Sequence, residues 1–104
     1  GGGAMGAVIR PRLRDIIRRL DDYDSMLGIY VAEPWSEDSD VMMVKYPDGH
    51  EDMYWKEASE LGMTYFMEVF ALRGHLSGWR DSLGGEPSLH EECREAIDYA
   101  LYHG

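Results

Sequence analysis

The apolar residues of this chain recur with two different periods, and the points where the period changes constrain its fold more than anything else in the sequence. Ile9, Leu13, Ile16, Ile17 and Leu20 fall at i, i+4, i+7, i+8 and i+11, one stripe of a helix, with Pro11 tolerated in its first turn. Leu27, Ile29 and Val31 then alternate with Gly28, Tyr30 and Ala32, the period-two pattern of a half-buried strand. Val41 to Tyr46 is a second apolar run, closed by the turn-forming Pro47-Asp48-Gly49. Its short connection to the first strand predicts an antiparallel pair. Good helix formers between Met53 and Leu61 predict a short helix that stops at Gly62. Thr64 to Phe70 is aromatic and β-branched, apolar on both faces as a central strand is. Helical spacing returns at Leu72, Leu76, Trp79 and Leu83 and stops at Gly84-Gly85. Ser88-Leu89-His90-Glu91 then matches a capping box, in which the serine hydroxyl and the glutamate satisfy orphan backbone donors. Leu89, Cys93, Ala96, Ile97, Ala100 and Leu101 supply the stripe of the last helix.

The predicted order is helix, strand, strand, short helix, strand, helix, helix. An α+β fold results, with a small three-stranded antiparallel sheet packed against about three helices. Residues 1–6 read as an expression scar. Residues 7–104 then form a single globular domain, long enough to bury a core without disulfides or metal. A hydrophobic fraction of 44% argues against disorder.

Charge is sorted along the chain as well. Arg10, Arg12, Arg14, Arg18 and Arg19 lie in one short stretch, the charged residues after it are mostly acidic, and the formal net charge is −10. On the flanks and far side of the first helical stripe, these arginines can lay their stems on apolar surface and keep their guanidinium groups wet. The acidic excess disfavours nucleic acid, whose phosphates are bound by cations, and suits a protein partner with a basic surface. No apolar run reaches the roughly eighteen residues that a membrane span takes. Cys93 is the only cysteine, which excludes an intrachain disulfide and points to a reducing, cytoplasmic setting.

Tyr65-Phe66-Met67-Glu68-Val69-Phe70 is followed by Gly78-Trp79, with Pro34-Trp35 and Ser39 in the first loop and Cys93, Ala96, Ile97, Tyr99 and Ala100 in the closing helix. This set resembles a family of small uncharacterised bacterial proteins, a domain of unknown function with an aromatic-Glu-Val strand before a Gly-Trp helix. The resemblance covers most of the chain, with Met67 in place of an expected leucine and a longer stretch around His50 to Trp55. It implies a bacterial cytoplasmic protein and brings no activity with it.

Glu68 is the most unusual acid, set inside an apolar strand on the face that period two assigns to Phe66 and Phe70. If that face is covered, desolvation would raise its pKa and make it a candidate acid, base or switch. The alternative is a structural pair with an arginine such as Arg73, or a strand end reaching water. Tyr30, Tyr65, His75 and Trp79 are the candidate lining of a pocket around it. Trp35, in an acidic loop, is either an anchor for a ligand or partner or the lid of a small core. His50-Glu51-Asp52 and the stretch His90 to Cys93 offer ligand atoms without a metal-binding spacing, so neither metal nor cofactor is expected. Cys93 reads as a small core residue, the methionines Met42, Met43, Met53, Met63 and Met67 as core filling, and Gly74 with Gly78 as a close helix approach. No nucleophile elbow, phosphate loop or dinucleotide fingerprint occurs, and no catalytic residue is assigned.

These observations favour a small acidic, non-enzymatic binding or regulatory domain, immunity- or inhibitor-like, acting on a basic protein partner. One alternative is a small enzyme or ligand-binding domain with a pocket near Glu68. The other is recognition of an acidic partner, nucleic acid included, by the arginine helix.

Overall fold

A computed structural model describes residues 11–45 and 58–103. Strand β1 (Gly28–Ala32) lies between β2 (Val41–Val44) and β3 (Met63–Glu68), and both pairings are antiparallel. The helices α1 (Leu13–Arg18), α2 (Val69–Leu83) and α3 (Leu89–His103), with the helical residues 58–60 before β3, give the α+β arrangement among the described residues, and α3 packs against both α1 and α2. The central place expected of β3 belongs to β1. The reason is burial: Gly28 to Val31 are all buried, with Ile29 and Val31 in the main core and Tyr30 in a second cluster, whereas Thr64 and Tyr65 of β3 remain exposed.

The main core joins Leu13, Ile16 and Ile17 of α1 to Leu72 and Leu76 of α2 and to Cys93, Ala96 and Ala100 of α3. On the opposite face of the sheet Tyr30, Val44, Ala58 and Met63 form a smaller cluster. Met63 and Met67 are buried and Met42 and Met43 half-buried, so these methionines do fill core. Leu83 and Leu101, expected on the buried stripes, are instead 47% and 64% exposed.

The starts of α1 and α2 are secured from a distance. The first amides of α1 donate to the loop that follows β1, Leu13 N–H to the Ser39 carbonyl at 2.9 Å and Arg14 N–H to that of Glu37 at 3.0 Å. Helix α1 then gives way to a 3-10 turn, Leu20–Asp22. The first amides of α2 donate to the turn before β1, Val69 N–H to the Leu27 carbonyl at 2.9 Å and Phe70 N–H to that of Ser25 at 3.0 Å. Because those bonds capture Val69 and Phe70, the strand predicted to run to Phe70 stops at Glu68. Phe70 is left half exposed.

Helix ends follow the sequence closely. Gly84 closes α2 in the left-handed region at φ 70°, and Gly62, at φ 72°, follows the helical residues 58–60. The rest of the predicted short helix, Pro47-Asp48-Gly49, His50-Glu51-Asp52 and the segment 1–10 lie outside the described residues. The capping box is complete: Ser88 N–H donates to the Glu91 carboxylate at 3.0 Å, and Glu91 N–H to the Ser88 hydroxyl at 3.1 Å. Ser88→Ala is therefore expected to cost about 1 kcal/mol in chemical denaturation at neutral pH. The Ser88 backbone N–H, and then its hydroxyl, hold the Glu91 carboxyl below its usual value of 4.5. A depressed folded-state pKa makes this contribution complete above the unfolded-state value and lost as pH falls through the folded one. The difference between wild type and Ser88→Ala should accordingly narrow in acid below that value.

Gly74 and Gly78 do not serve a close approach. Both are exposed, and a methyl group built at either meets no atom within 4 Å. Alanine at each position should raise stability by about 0.5–1 kcal/mol, because an exposed helix interior penalises glycine. A melting temperature unchanged or lowered in Gly74→Ala/Gly78→Ala would show that something covers this face.

Candidate functional site

The loop 33–40 between β1 and β2 is held by its own serines. The buried Ser39 hydroxyl donates to the Pro34 carbonyl at 3.1 Å and accepts the Ser36 N–H at 2.9 Å. Its acids answer basic side chains on two helices and their flanks: Asp38 pairs with Arg14 at 2.5 Å and Arg12 at 3.6 Å, and Glu37 with His90 at 2.5 Å. Trp35 folds inward as a lid, its indole N–H donating to the Thr64 hydroxyl at 3.0 Å and its ring meeting Phe66 edge-on at 5.0 Å.

Two adjoining cavities separate this loop from α3 and share Ile97. One, of about 350 Å3, is lined by Glu37, Asp38, His90, Arg94 and Asp98 among others. The second, of about 330 Å3, is lined by Glu33, Pro34, Trp35, Ile97 and Leu101. Together they form a groove along α3, polar at the His90 end and apolar at the Leu101 end. Its helical wall uses His90, Arg94, Ile97 and Leu101, spaced i, i+4, i+7 and i+11, a second face beside the buried Cys93, Ala96 and Ala100. That doubled stripe was the sequence signal for this groove. Of its residues only Trp35 stood among the predicted site residues.

Glu68 lies elsewhere, in a cleft of about 190 Å3 between β3 and α3 lined by Tyr65, Phe66, Glu68, Ala71, Tyr99 and Ala100. A register shift opposite Ile29 and Tyr30 creates this arrangement: Met67 pairs with Ile29 but Tyr65 with Tyr30, leaving Phe66 as the extra residue of a bulge. Tyr65 and Glu68, three apart, consequently share a face that strict alternation denies them. Phe66 is buried in the main core and Phe70 is helical, so neither shares the face with Glu68 that period two assigned. The Glu68 carboxylate is a neighbour of the Tyr65 phenol in this cleft. Partial desolvation, then the nearby Glu68 carboxylate as acceptor and as charge, push the phenol well above its ordinary pKa and keep it neutral.

The predicted lining of this pocket is dispersed. Tyr65 lines it, and its cross-strand partner Tyr30 lies buried in the smaller cluster, edge-on to Tyr65 at 5.6 Å. His75 sits behind the cleft, stacked on Tyr99 at 3.8 Å and paired with Glu95 at 2.6 Å, partners that the sequence did not disclose. Trp79 packs against the main core. Arg73, the expected partner of Glu68, donates instead to the Leu20 and Tyr23 carbonyls. Cys93 is buried, and desolvation, then the nearby Glu37 and Glu92 charges, push its thiol up to about 12, which leaves it an inert core residue. Among the described residues no group of three His, Cys, Asp or Glu side chains could hold a metal ion, and no helix is long and apolar enough to cross a membrane.

Positive charge is largely consumed inside the molecule. Arg12, Arg14, Arg18, Lys45, Arg73 and Arg80 are all ion-paired. Asp22, Glu33, Asp40, Glu60, Asp81, Glu86 and Asp98 are exposed and form no ion pair among the described residues. No family model, curated protein or solved structure matches this chain. The functional reading therefore stands on its own charges and cavities.

Proposed function

We propose that this chain is a small acidic, non-enzymatic binding or regulatory domain, immunity- or inhibitor-like, whose partner is a protein with a basic surface. The observation that carries the reading is the fate of the basic side chains. With Arg12 and Arg14 held by Asp38, and Arg18, Lys45, Arg73 and Arg80 each held by another carboxylate, the remaining acids face solvent in surplus. Such a surface steers a basic partner into encounter and selects against acidic ones. The same balance speaks against duplex binding by the arginine helix, because two of its guanidinium groups are already occupied by Asp38. The family resemblance and a bacterial cytoplasmic setting belong to this reading.

The test is affinity capture from the source cells, followed by association kinetics of the purified partner between about 50 and 500 mM salt. The expected result is a basic partner whose association slows about tenfold or more across that range. A neutral partner, or a rate indifferent to salt, would overturn the proposal. A second reading, a small-ligand site, is favoured by the bulge that turns Tyr65 and Glu68 into one cleft with Tyr99. It predicts that fragments carrying a cation or hydroxyl shift the resonances of Glu68 and Tyr99, and silence there across a fragment set removes it.

A further inference from the structure

Resting on the acidic binding reading, we propose that the partner docks in the groove between loop 33–38 and α3, inserting an apolar side chain that is flanked by lysine or arginine. The apolar half of the groove is an open cavity of about 330 Å3 walled by Pro34, Trp35, Ile97 and Leu101. Leu101 is 64% exposed there, an aliphatic side chain with no neighbour among the described residues to cover it. Trp35 is already oriented by Thr64 and Phe66, so a ligand meeting its ring has little ordering left to offset. Preorganised aromatic surface beside exposed aliphatic surface is the anatomy of an interface anchor site.

Charge identifies the occupant. Glu37 and Asp38, in the polar half, are already engaged, Glu37 by a hydrogen bond with His90 and Asp38 by Arg12 and Arg14. The free carboxylates of the groove are Glu33, on the wall of the apolar cavity, and Asp98, adjacent to Ile97 on α3. Cations on either side of an inserted apolar residue therefore find a carboxylate, while a segment with acidic flanks meets like charge. Arg94 is exposed in the polar half and forms no ion pair among the described residues, which sets direction. One of the partner's cations lies at Glu33, on the Leu101 side, the other at Asp98, and its next carbonyl or carboxylate lies toward Arg94. From His90 to Leu101 the helix rises roughly 16 Å, enough for about five extended residues.

The probes are three blocked pentapeptides, Gly-Lys-Leu-Lys-Gly, Gly-Lys-Ser-Lys-Gly and Gly-Glu-Leu-Glu-Gly, titrated into the isotopically labelled protein and followed by amide and indole shifts. The lysine-leucine peptide should move the Trp35 indole, Ile97 and Leu101 signals. Its affinity should fall about threefold in each of Glu33→Gln and Asp98→Asn, and about tenfold in the double variant. Both sites are exposed, so the variants should keep the wild-type spectrum elsewhere. No binding of the lysine-leucine peptide, equal binding of either control, or unchanged affinity in the double variant would overturn the docking site. Salt-sensitive shifts centred on another face would overturn the groove while leaving the acidic reading intact, whereas that reading falls with a neutral or salt-indifferent natural partner.

Discussion

Leu76→Ala is expected to lower the stability of this domain by about 2–5 kcal/mol, measured as the shift in urea midpoint at constant slope. Leu76 lies in the middle of α2 with none of its surface exposed, and it belongs to the core cluster to which α1, α2 and α3 contribute. Its truncation removes buried methyl and methylene groups and leaves a hole that close-packed neighbours close only in part. Domains of this size are stable by about 5–15 kcal/mol, so the loss is a large share of the total. The control is Leu83→Ala, from the same predicted stripe but 47% exposed, which should cost well under about 1 kcal/mol. Equal effects from the two substitutions would mean that α2 does not bury its Leu76 face in the core.

Arg73→Met is expected to cost about 2–3 kcal/mol, for a reason that hydrophobicity does not supply. One guanidinium nitrogen donates to the Leu20 carbonyl at 2.9 Å and to the Tyr23 carbonyl at 2.6 Å, tying α2 to the 3-10 turn that ends the first helix. Nε is buried and makes no hydrogen bond among the described residues, meeting only the Asp21 carboxylate at 3.5 Å. Asp21 is almost fully exposed, so the ion pair contributes little and the two carbonyls carry the effect. Methionine keeps much of the apolar stem but leaves both carbonyls without their donor. Lysine, a point charge without the planar fork, should recover only part of the loss. A Met variant within about 0.5 kcal/mol of wild type would show that water replaces the guanidinium without penalty.

Arg73 also marks the boundary of what could be read from the chain. Its partners stand 50 and 53 residues away, beyond the reach of any local pattern, and the arginine expected beside Glu68 is spent on them. The limit of β3 is similar. Val69 and Phe70 have the composition of a strand, yet their amides are claimed by Leu27 and Ser25, and tertiary context overrides propensity. The bulge at Phe66 then reverses the face of Glu68, since one extra residue inverts every later side chain. It sets Glu68 on the face of Tyr65 and Tyr30, while His75 and Trp79 are placed by the packing of α2.

The sequence by itself determined the α+β class, the order of elements, the antiparallel pairing of the first two strands, the glycine stops at Gly62 and Gly84 and the Ser88-Glu91 cap. Each rests on residues within a turn or a strand of one another, where spacing alone specifies the partner. Packing of distant elements settled that β1 is central, that Trp35 closes over Phe66, that Leu101 faces outward, and that Arg12 and Arg14 are answered by Asp38. Those outcomes depend on which distant backbone groups and charges the packed helices bring into contact, and the period of a sequence carries no record of them.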